Sequence, residues 1–328
     1  MEERPTPRPG LGELLIRVRS VGVCGSDVHY YKTGRIGPYV VEEPLILGHE
    51  VSGVVADVGV GVDSGRIGQR VALEPTQPCR RCRACKTGRH NLCPDMVFYA
   101  TPPVDGAFCD YVTLPADFAH PIPPDLSDHA AALLEPFSVG LWACAKAKVE
   151  PGSTVFITGA GPIGALTALA ARAYGAAEVV VTDLVESRRQ RILDFGASAA
   201  YDPQDPDLDI GGLGADAFIE CSGATPAMLA GIEALRPSGT AVMVGLGAPE
   251  MELPVGQIAM KEIMLTGVFR YVDTWPKARA AALARQATGL AGLDALVTAE
   301  FALEDAEDAL NADSDPSSMK SVVVVSKA

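Results

Sequence analysis

Four cysteines lie within 15 consecutive positions, with the spacing of a metal site. Cys79, Cys82 and Cys85 are each separated by two residues, and Cys93 follows after seven more. Zinc prefers four tetrahedral ligands, and four thiolates close its coordination shell and leave no position for a substrate. The spacing therefore predicts a structural zinc site, with an iron–sulfur cluster as the alternative. Residues 75–103 are rich in proline and charge, so this lobe needs a metal to stay folded.

Four further residues of metal-binding type are dispersed along the chain. Cys24 follows a predicted strand, His49 and Glu50 follow a short apolar run and a glycine, and Glu135 lies in a stretch that is otherwise almost apolar. A buried carboxylate without a partner is unfavourable, so Glu135 indicates a nearby cation. Each residue alone also has a structural explanation, as a core thiol, a turn histidine or the end of an amphipathic helix. The residue types by themselves leave both interpretations open.

A glycine-rich turn follows an apolar strand in the second half of the chain. Residues 154–164 read TVFITGAGPIG, so Gly159, Gly161 and Gly164 have the spacing GxGxxG. Before a helix, the first glycine forms the tight turn, the second admits a pyrophosphate and the third packs the helix on the strand. The helix N-terminus then faces the anion. An ordinary strand, turn and helix with a capping aspartate is the alternative.

An aspartate in the expected place indicates which dinucleotide this turn binds. Asp183 ends the next predicted strand, 19 residues after Gly164. A carboxylate there accepts hydrogen bonds from both ribose hydroxyls and repels a 2′-phosphate, which favours NAD over NADP. Arg188, five residues further on, either covers the adenine or ribose or is a solvated helix charge. We therefore predict an NAD site.

The elements around these motifs change character along the chain. The first half is β-rich, with strands predicted at residues 14–20 and 51–62 from their alternating or β-branched residues. After Pro151, short apolar runs alternate with helical patterns, which is typical of a parallel sheet covered by helices. The predicted strands are 154–158, 178–182, 215–221, 240–245, 264–268 and 322–325, and the predicted helices are 162–174, 186–195 and 226–235. Residues 202–214 contain two prolines and three glycines, so no helix is expected there.

Composition limits the classes of protein to which the chain can belong. Its 328 residues suggest about two domains, and 48% of them are hydrophobic. A net charge of -14 disfavours nucleic acids and anionic membranes as partners. No apolar run approaches the roughly 18 residues of a membrane span, and residues 1–10 lack a signal-peptide core. We expect a cytoplasmic protein, in which clustered cysteines bind metal.

Six strings distributed over nearly the whole chain are more specific than these patterns. They are CGSDVHYYKTGRIG (24–37), EEPLILGHE (42–50), FYATPPVDGAF (98–108), LLEPFSVG (133–140), GAGPIG (159–164) and GVFRYVDTWP (267–276). With them the chain resembles the medium-chain zinc-dependent alcohol dehydrogenases, and more narrowly the sorbitol (L-iditol) and xylitol dehydrogenases. Threonine dehydrogenases share GHE and the cysteine lobe, but GRIG and VFRY favour polyols.

The resemblance implies roles for individual residues. Cys24, His49 and Glu50 would hold a catalytic zinc, with Glu135 as a further ligand or as the group that holds a water beside it. Ser26 and His29 match the positions of a proton relay, although His29 can also be a surface histidine. The residues implied to border the substrate are Tyr30, Phe98, Thr101, Arg270 and Tyr271. Those implied to bind the cofactor are Gly159, Gly161, Pro162, Ile163, Gly164, Asp183, Arg188, Cys221, Val244, Gly245, Val268, Phe269 and Arg270.

The resemblance also implies the fold and the reaction. We expect an α/β protein with a GroES-like β-rich catalytic domain (1–138 and 271–328) and a doubly wound Rossmann domain (139–270). With NAD and two zinc ions per chain, it would oxidise a polyol at C2 to a ketose. The alternatives are threonine, butanediol or L-idonate as substrate, or a non-catalytic NAD-binding zinc protein. A homodimer or tetramer is implied, with a contact near residues 264–268. An initial β-hairpin of the family is expected to be absent, which would leave one edge of the catalytic sheet less covered.

Overall fold

The computed structural model describes residues 1–312 and 315–326 and divides the chain into two compact units. Unit 1 comprises Met1–Glu135 and Ala282–Ala328, and unit 2 comprises Pro136–Ala281. The domain boundaries expected from the sequence, after residue 138 and before residue 271, stay predictions. Among the described residues, every helix is too short or too polar to span a membrane.

Unit 1 is built mainly from β-strands. Its strands are β1 (Glu13–Gly22), β2 (Arg35–Ile36), β3 (Tyr39–Val40), β4 (Glu50–Val58), β5 (Arg70–Leu73), β6 (Thr76–Gln77), β7 (Val97–Phe98), β8 (Tyr111–Pro115), β9 (Ala119–Pro121), β16 (Val297–Ala302) and β17 (Lys320–Val324). Its helices are α1 (Gly25–Thr33), α2 (Arg83–Lys86), α3 (Asp128–Ala132) and α10 (Ala306–Asn311), and α4 (Leu134–Lys146) begins at its boundary. The predicted β-rich first half is confirmed.

The central strand of unit 1 is β1, which ends just before Cys24. The main sheet has the order β16-β17-β1-β4-β5-β9, and β8 also pairs with β1. Alternating residues predicted a half-buried strand, but the second half of β1 is buried on both faces. The reason is that β1 lies inside the sheet and α3 packs against it. The pairing of β1 with β4 places Gly22 opposite Glu50.

The cysteine lobe has as little regular structure as its composition predicted. Between residues 75 and 103 it contains the four-residue helix α2 and the two-residue strands β6 and β7, which pair with each other. Among the described residues, one cluster of buried apolar side chains in unit 1 draws mainly on β1, β4, β5 and β8 and includes Tyr99 from this segment. Among the described residues, none of positions 77–90 is buried, so packing alone offers little stability to the part of the lobe that carries Cys79, Cys82 and Cys85.

Unit 2 is a six-stranded parallel sheet covered by helices. Its strands are β10 (Thr154–Thr158), β11 (Glu178–Thr182), β12 (Ala199–Tyr201), β13 (Ala215–Glu220), β14 (Leu235–Met243) and β15 (Met264–Gly267). Its helices are α5 (Pro162–Ala173), α6 (Glu186–Asp194), α7 (Thr225–Ala234) and α8 (Val255–Met260), and α9 (Trp275–Ala287) ends beyond its boundary. The order β12-β11-β10-β13-β14-β15 is that of the Rossmann fold, which confirms the predicted fold class.

Most predicted elements of unit 2 lie where expected, and the differences have local causes. The strand predicted at 240–245 begins earlier, at Leu235. Its first half was not predicted because it contains Pro237 and Ser238, a residue of positive φ. Helix α8 and strand β12 were not predicted, since both are short. No α-helix forms in residues 202–214, as predicted, and a single 3-10 turn at Gly211–Leu213 takes its place.

Candidate active site and metal centres

The four cysteines of the lobe converge in the folded chain. Their Sγ atoms lie within 4.8 Å of one another, and the backbone N–H groups of Cys79, Cys82 and Cys85 donate to neighbouring sulfurs at 3.3 to 3.4 Å. Backbone N–H donors lower the pKa of Cys79 to about 7, whereas burial and the neighbouring thiols raise the pKa of Cys85 to about 12. Four thiols this close resist ionising together, and a divalent cation at their centre removes that conflict. The group fits a structural zinc.

A second group forms where the end of β1 meets the start of β4. Cys24 stands at the N-terminus of α1, just after β1, and Glu50 opens β4. One donor atom from each of Cys24, His49 and Glu50 lies within 4.8 Å of the others, and His49 and Glu50 are buried. Gly48, with φ of 90°, makes the turn that delivers them. Antiparallel pairing of the two strands therefore joins residues that are distant in sequence.

Asp27, to which sequence reasoning gave no role, links the two halves of this group. Its buried carboxylate accepts hydrogen bonds from the backbone N–H of Cys24 at 3.0 Å and of Gly48 at 2.9 Å. Its Oδ1 also lies 3.4 Å from Nδ1 of His49, and such carboxylates orient metal-binding imidazoles. The available signal was a carboxylate three residues after the helix-capping position, as in a capping box.

The charges around this group favour a cation. Burial alone would lower the pKa of His49, but Asp27 and Cys24 outweigh it and raise that pKa well above its ordinary value. For Asp27 burial has the opposite effect and raises the pKa, yet His49 and the backbone donors lower that pKa overall. The same negative groups would favour a metal cation, which binds the neutral imidazole ring.

Glu50 has one oxygen paired and the other available. Its Oε1 accepts a hydrogen bond from Nζ of Lys320 at 2.7 Å, and Oε2 is buried without a hydrogen-bond partner among the described residues. An unpaired buried carboxylate oxygen is rare, and it is the donor that a zinc ion needs. Cys24, His49 and Glu50 therefore fit a catalytic zinc. Lys320 was missed because no motif surrounds it.

Glu135 lies close to this group but is not part of its innermost set. It occupies the first turn of α4 and is buried, and it is outside the set of atoms within 4.8 Å of one another. Burial lowers the pKa of Lys320, and Glu50, Cys24 and Glu135 outweigh that effect and raise it. The choice of Glu50 or Glu135 as direct ligand stays a prediction, with Glu50 favoured by its place in the set.

The predicted relay and substrate residues of unit 1 lie on α1, at the end of β7 and just after β7. Ser26 is half-buried, His29 is exposed and Tyr30 is buried on α1. Phe98 is buried, and its ring centroid lies 5.4 Å from that of His49, so the fold brings it to the metal group. Thr101 closes a turn by donating its backbone N–H to the carbonyl of Phe98 at 3.3 Å. Their roles stay predictions.

In unit 2, the glycine motif forms the turn between β10 and α5. Gly159 has φ of 89°, and a Cβ added at Gly164 would lie 1.9 Å from the Gly159 carbonyl oxygen. At Gly161 the nearest atom to an added Cβ is Nη1 of Arg188, at 4.0 Å. The third glycine is thus needed for packing, while the second borders open space at a helix N-terminus. Pro162 and Ile163 begin α5.

Asp183 is held in place by two backbone amides. Its Oδ2 accepts a hydrogen bond from the N–H of Ala160 at 2.7 Å, and its Oδ1 accepts one from Val185 at 2.8 Å. Each oxygen keeps a further lone pair for a ribose hydroxyl. Arg189, which was not singled out, donates to the carbonyls of Asp183 and Leu184 at 2.7 and 2.9 Å. The turn is therefore fixed from both sides.

The remaining predicted residues of unit 2 lie at the carboxyl ends of its last three strands, where ligands bind in such sheets. Cys221, Val244 and Gly245 follow β13 and β14, and Val268, Phe269, Arg270 and Tyr271 follow β15. The guanidinium of Arg270 lies 4.7 Å from the centre of the Phe269 ring. Tyr271 is fully buried. Their roles toward cofactor and substrate stay predictions.

Comparisons with known proteins cover almost the whole chain. The family model for the alcohol dehydrogenase GroES-like domain matches residues 10–124, and the zinc-binding dehydrogenase model matches residues 162–284. A sorbitol dehydrogenase of Bacillus subtilis (strain 168) is 44% identical over 317 residues, which cover 94% of this chain and 89% of that protein. A probable D-xylulose reductase A of Emericella nidulans is 40% identical over 322 residues, which cover 94% and 88%.

Solved structures give the same result for the fold. L-idonate 5-dehydrogenase from Escherichia coli superposes with a TM-score of 0.89 at 32% identity, and the match covers 96% of this chain and 91% of that one. The GroES-like and Rossmann parts of the predicted fold are thereby both confirmed.

Proposed function

This chain belongs to the zinc-dependent medium-chain alcohol dehydrogenases, and from that premise we propose that it oxidises a sugar alcohol of the sorbitol or xylitol type. The hydroxyl at C2 becomes a ketone, and NAD accepts the hydride. The observation that carries the proposal is the convergence of the half-buried Cys24 with the buried His49 and Glu50, in a chain 44% identical to a sorbitol dehydrogenase. Two groups of potential zinc ligands support two zinc ions per chain.

The metal side of the reaction depends on residues of unit 1. Zinc, when bound, supplies a Lewis acid that favours loss of a hydroxyl proton. Cys24, His49 and Glu50 would hold it, and Asp27, whose Oδ1 lies 3.4 Å from Nδ1 of His49, would orient the imidazole. Ser26 and His29 would pass the proton to solvent, with Glu135 near the metal. The exposure of His29 supports a place at the solvent end of that relay.

The residues proposed to bind the substrate lie on α1, in and just after β7, and after β15. Phe98, packed near His49, and Tyr30 and Thr101 would flank the polyol on the metal side. Arg270 and Tyr271 are proposed to contribute from the polypeptide after β15. Aromatic side chains together with a few polar groups are typical of the lining of small-molecule sites.

The cofactor side depends on residues of unit 2. The pyrophosphate would lie at the open space beside Gly161 and the N-terminus of α5. Asp183, with both oxygens already oriented by amides, would bind the ribose hydroxyls and exclude a 2′-phosphate. These contacts support NAD rather than NADP.

Steady-state rates test the proposal directly. The purified enzyme is assayed on C4 to C6 polyols and on L-idonate, threonine and butanediol, each with NAD and with NADP, and zinc per chain is measured. We expect the highest kcat/KM for a polyol with NAD, and two zinc atoms. Faster turnover of L-idonate, the substrate named for a similar structure, would replace the polyol assignment. NAD binding without turnover of any alcohol would refute enzymatic function.

Assembly and location form a separate proposal. The edge strand β15 exposes Met264, and unpaired strand edges join readily to a second copy, which supports a homodimer or tetramer. The eight free cysteines support a cytoplasmic location, where thiols stay reduced. Met264→Lys is expected to shift the mass measured by light scattering toward the monomer. An unchanged mass would place the contact elsewhere.

A further inference from the structure

We propose that Lys320 is a positioning residue of the catalytic zinc site, which holds Glu50 so that only its Oε2 is presented to the metal. The proposal rests on the zinc assignment made above for Cys24, His49 and Glu50. It concerns a residue at the start of β17, 270 positions from Glu50, and it assigns a function to a buried cation that the reaction itself does not use.

Lys320 joins the two polypeptide segments that deliver the ligands. Its Nζ donates to Oε1 of Glu50 at 2.7 Å and to the backbone carbonyl of Val23 at 2.9 Å. Val23 immediately precedes Cys24, and its N–H donates to the carbonyl of Ser321 at 3.0 Å. One ammonium group thus fixes the position of Glu50 relative to Cys24.

The contact is buried, which makes its geometry well defined. The side chains of Lys320 and Glu50 are 4% and 1% exposed. A buried ion pair is weak support for stability, because desolvation of both charges offsets their attraction. Fold stability alone is therefore a poor explanation for a lysine at this position, whereas the orientation of a ligand is a sufficient one.

Glu50 has little freedom to rotate away from this arrangement. A Cβ added at Gly22 would lie 2.0 Å from Oε2 of Glu50, so the carboxylate rests directly on the backbone of β1. With Oε1 held by Lys320 and the group pressed against Gly22, only Oε2 is left unpaired among the described residues. The carboxylate would therefore bind zinc through one oxygen.

A positioning role and a purely electrostatic role make opposite predictions for zinc affinity. The ammonium repels a dication, so if Lys320 acted only as a charge, its removal would tighten zinc binding. If it orients Glu50, its removal weakens binding, typically by about 10- to 100-fold for such outer partners of a ligand. The sign of the change separates the two.

The experiment uses Lys320→Met in the full-length holoenzyme. Zinc retention is measured by competition with a chelator, and the absorption of Co²⁺ in the same site is recorded. We expect about 10- to 100-fold weaker retention of one zinc, an altered Co²⁺ spectrum, and unchanged retention of the zinc in the cysteine lobe. Unchanged or tighter binding of the catalytic zinc would overturn the proposal. Lys320→Arg, which keeps charge and donors, should recover part of the loss.

Two controls keep the test decisive. Lys261→Met removes a lysine that also donates to backbone carbonyls, those of Glu233 and Leu235, and should alter neither metal. If Lys320→Met does not fold, the structure of the zinc-loaded wild type decides: coordination by both oxygens of Glu50 would refute the proposal. Neither readout involves turnover, so a failure of the polyol assignment leaves this inference standing, and the reverse also holds.

Discussion

Substitution by alanine should have different effects at two glycines of the same turn, on NAD affinity at one and on stability at the other. Gly161→Ala adds a methyl group 4.0 Å from the nearest atom, Nη1 of Arg188, at a residue whose φ of -70° suits alanine. Gly164→Ala adds one 1.9 Å from the carbonyl oxygen of Gly159, far inside van der Waals contact. The Gly161 variant tests the position of the pyrophosphate, and the Gly164 variant tests the packing of α5 against the turn.

The expected magnitudes follow from these distances. For Gly161→Ala, reduced freedom of the unfolded chain stabilises by about 0.4–1 kcal/mol, and the poor capping ability of alanine opposes it. The free energy of unfolding should therefore change by less than about 0.5 kcal/mol. For Gly164→Ala, the displaced backbone costs about 1–3 kcal/mol. A methyl group in the pyrophosphate space should raise the Kd for NAD about 10- to 100-fold, or about 1.4–2.8 kcal/mol.

The assays are NAD titration by calorimetry and urea unfolding. Gly256→Ala is the matched control, because nothing lies within 4 Å of its added Cβ and its φ is not positive. Wild-type NAD affinity in Gly161→Ala would refute the placement of the pyrophosphate at the N-terminus of α5. Wild-type stability in Gly164→Ala would refute the packing argument.

Three further substitutions test the remaining assignments. His49→Ala should abolish turnover and leave NAD affinity nearly intact, because the two sites use different residues; a steady-state rate equal to wild type would exclude His49 as a ligand. Asp183→Ala should reduce the ratio of kcat/KM for NAD over NADP, and an unaltered ratio counts against the ribose contact. Cys82→Ser should remove the lobe zinc and lower Tm while the catalytic zinc stays, so two zinc atoms per chain would contradict a tetrathiolate site.

The sequence predicted best those features whose parts are close together in the chain. The spacing of Cys79 to Cys93 indicated a closed metal site, and the strand, GxGxxG turn and helix around Gly159 indicated a dinucleotide site. In both cases the backbone of one short segment places all the donors, so spacing translates directly into geometry. Most strands of unit 2 were likewise found from local runs, except the short β12 and the first half of β14, which contains Pro237 and Ser238.

Only the tertiary structure decided how the catalytic group is assembled. The sequence named Cys24, His49 and Glu50, but their residue types left core packing and turn formation open until the pairing of β1 with β4 brought them together. Asp27 and Lys320 act through contacts with residues that are distant in the chain. Both side chains are buried, so their charges are held in fixed positions. Short-range spacing therefore determined which metal and dinucleotide chemistry the chain can support. Strand pairing determined where the catalytic group lies, because burial and charge pairing are properties of the assembled fold.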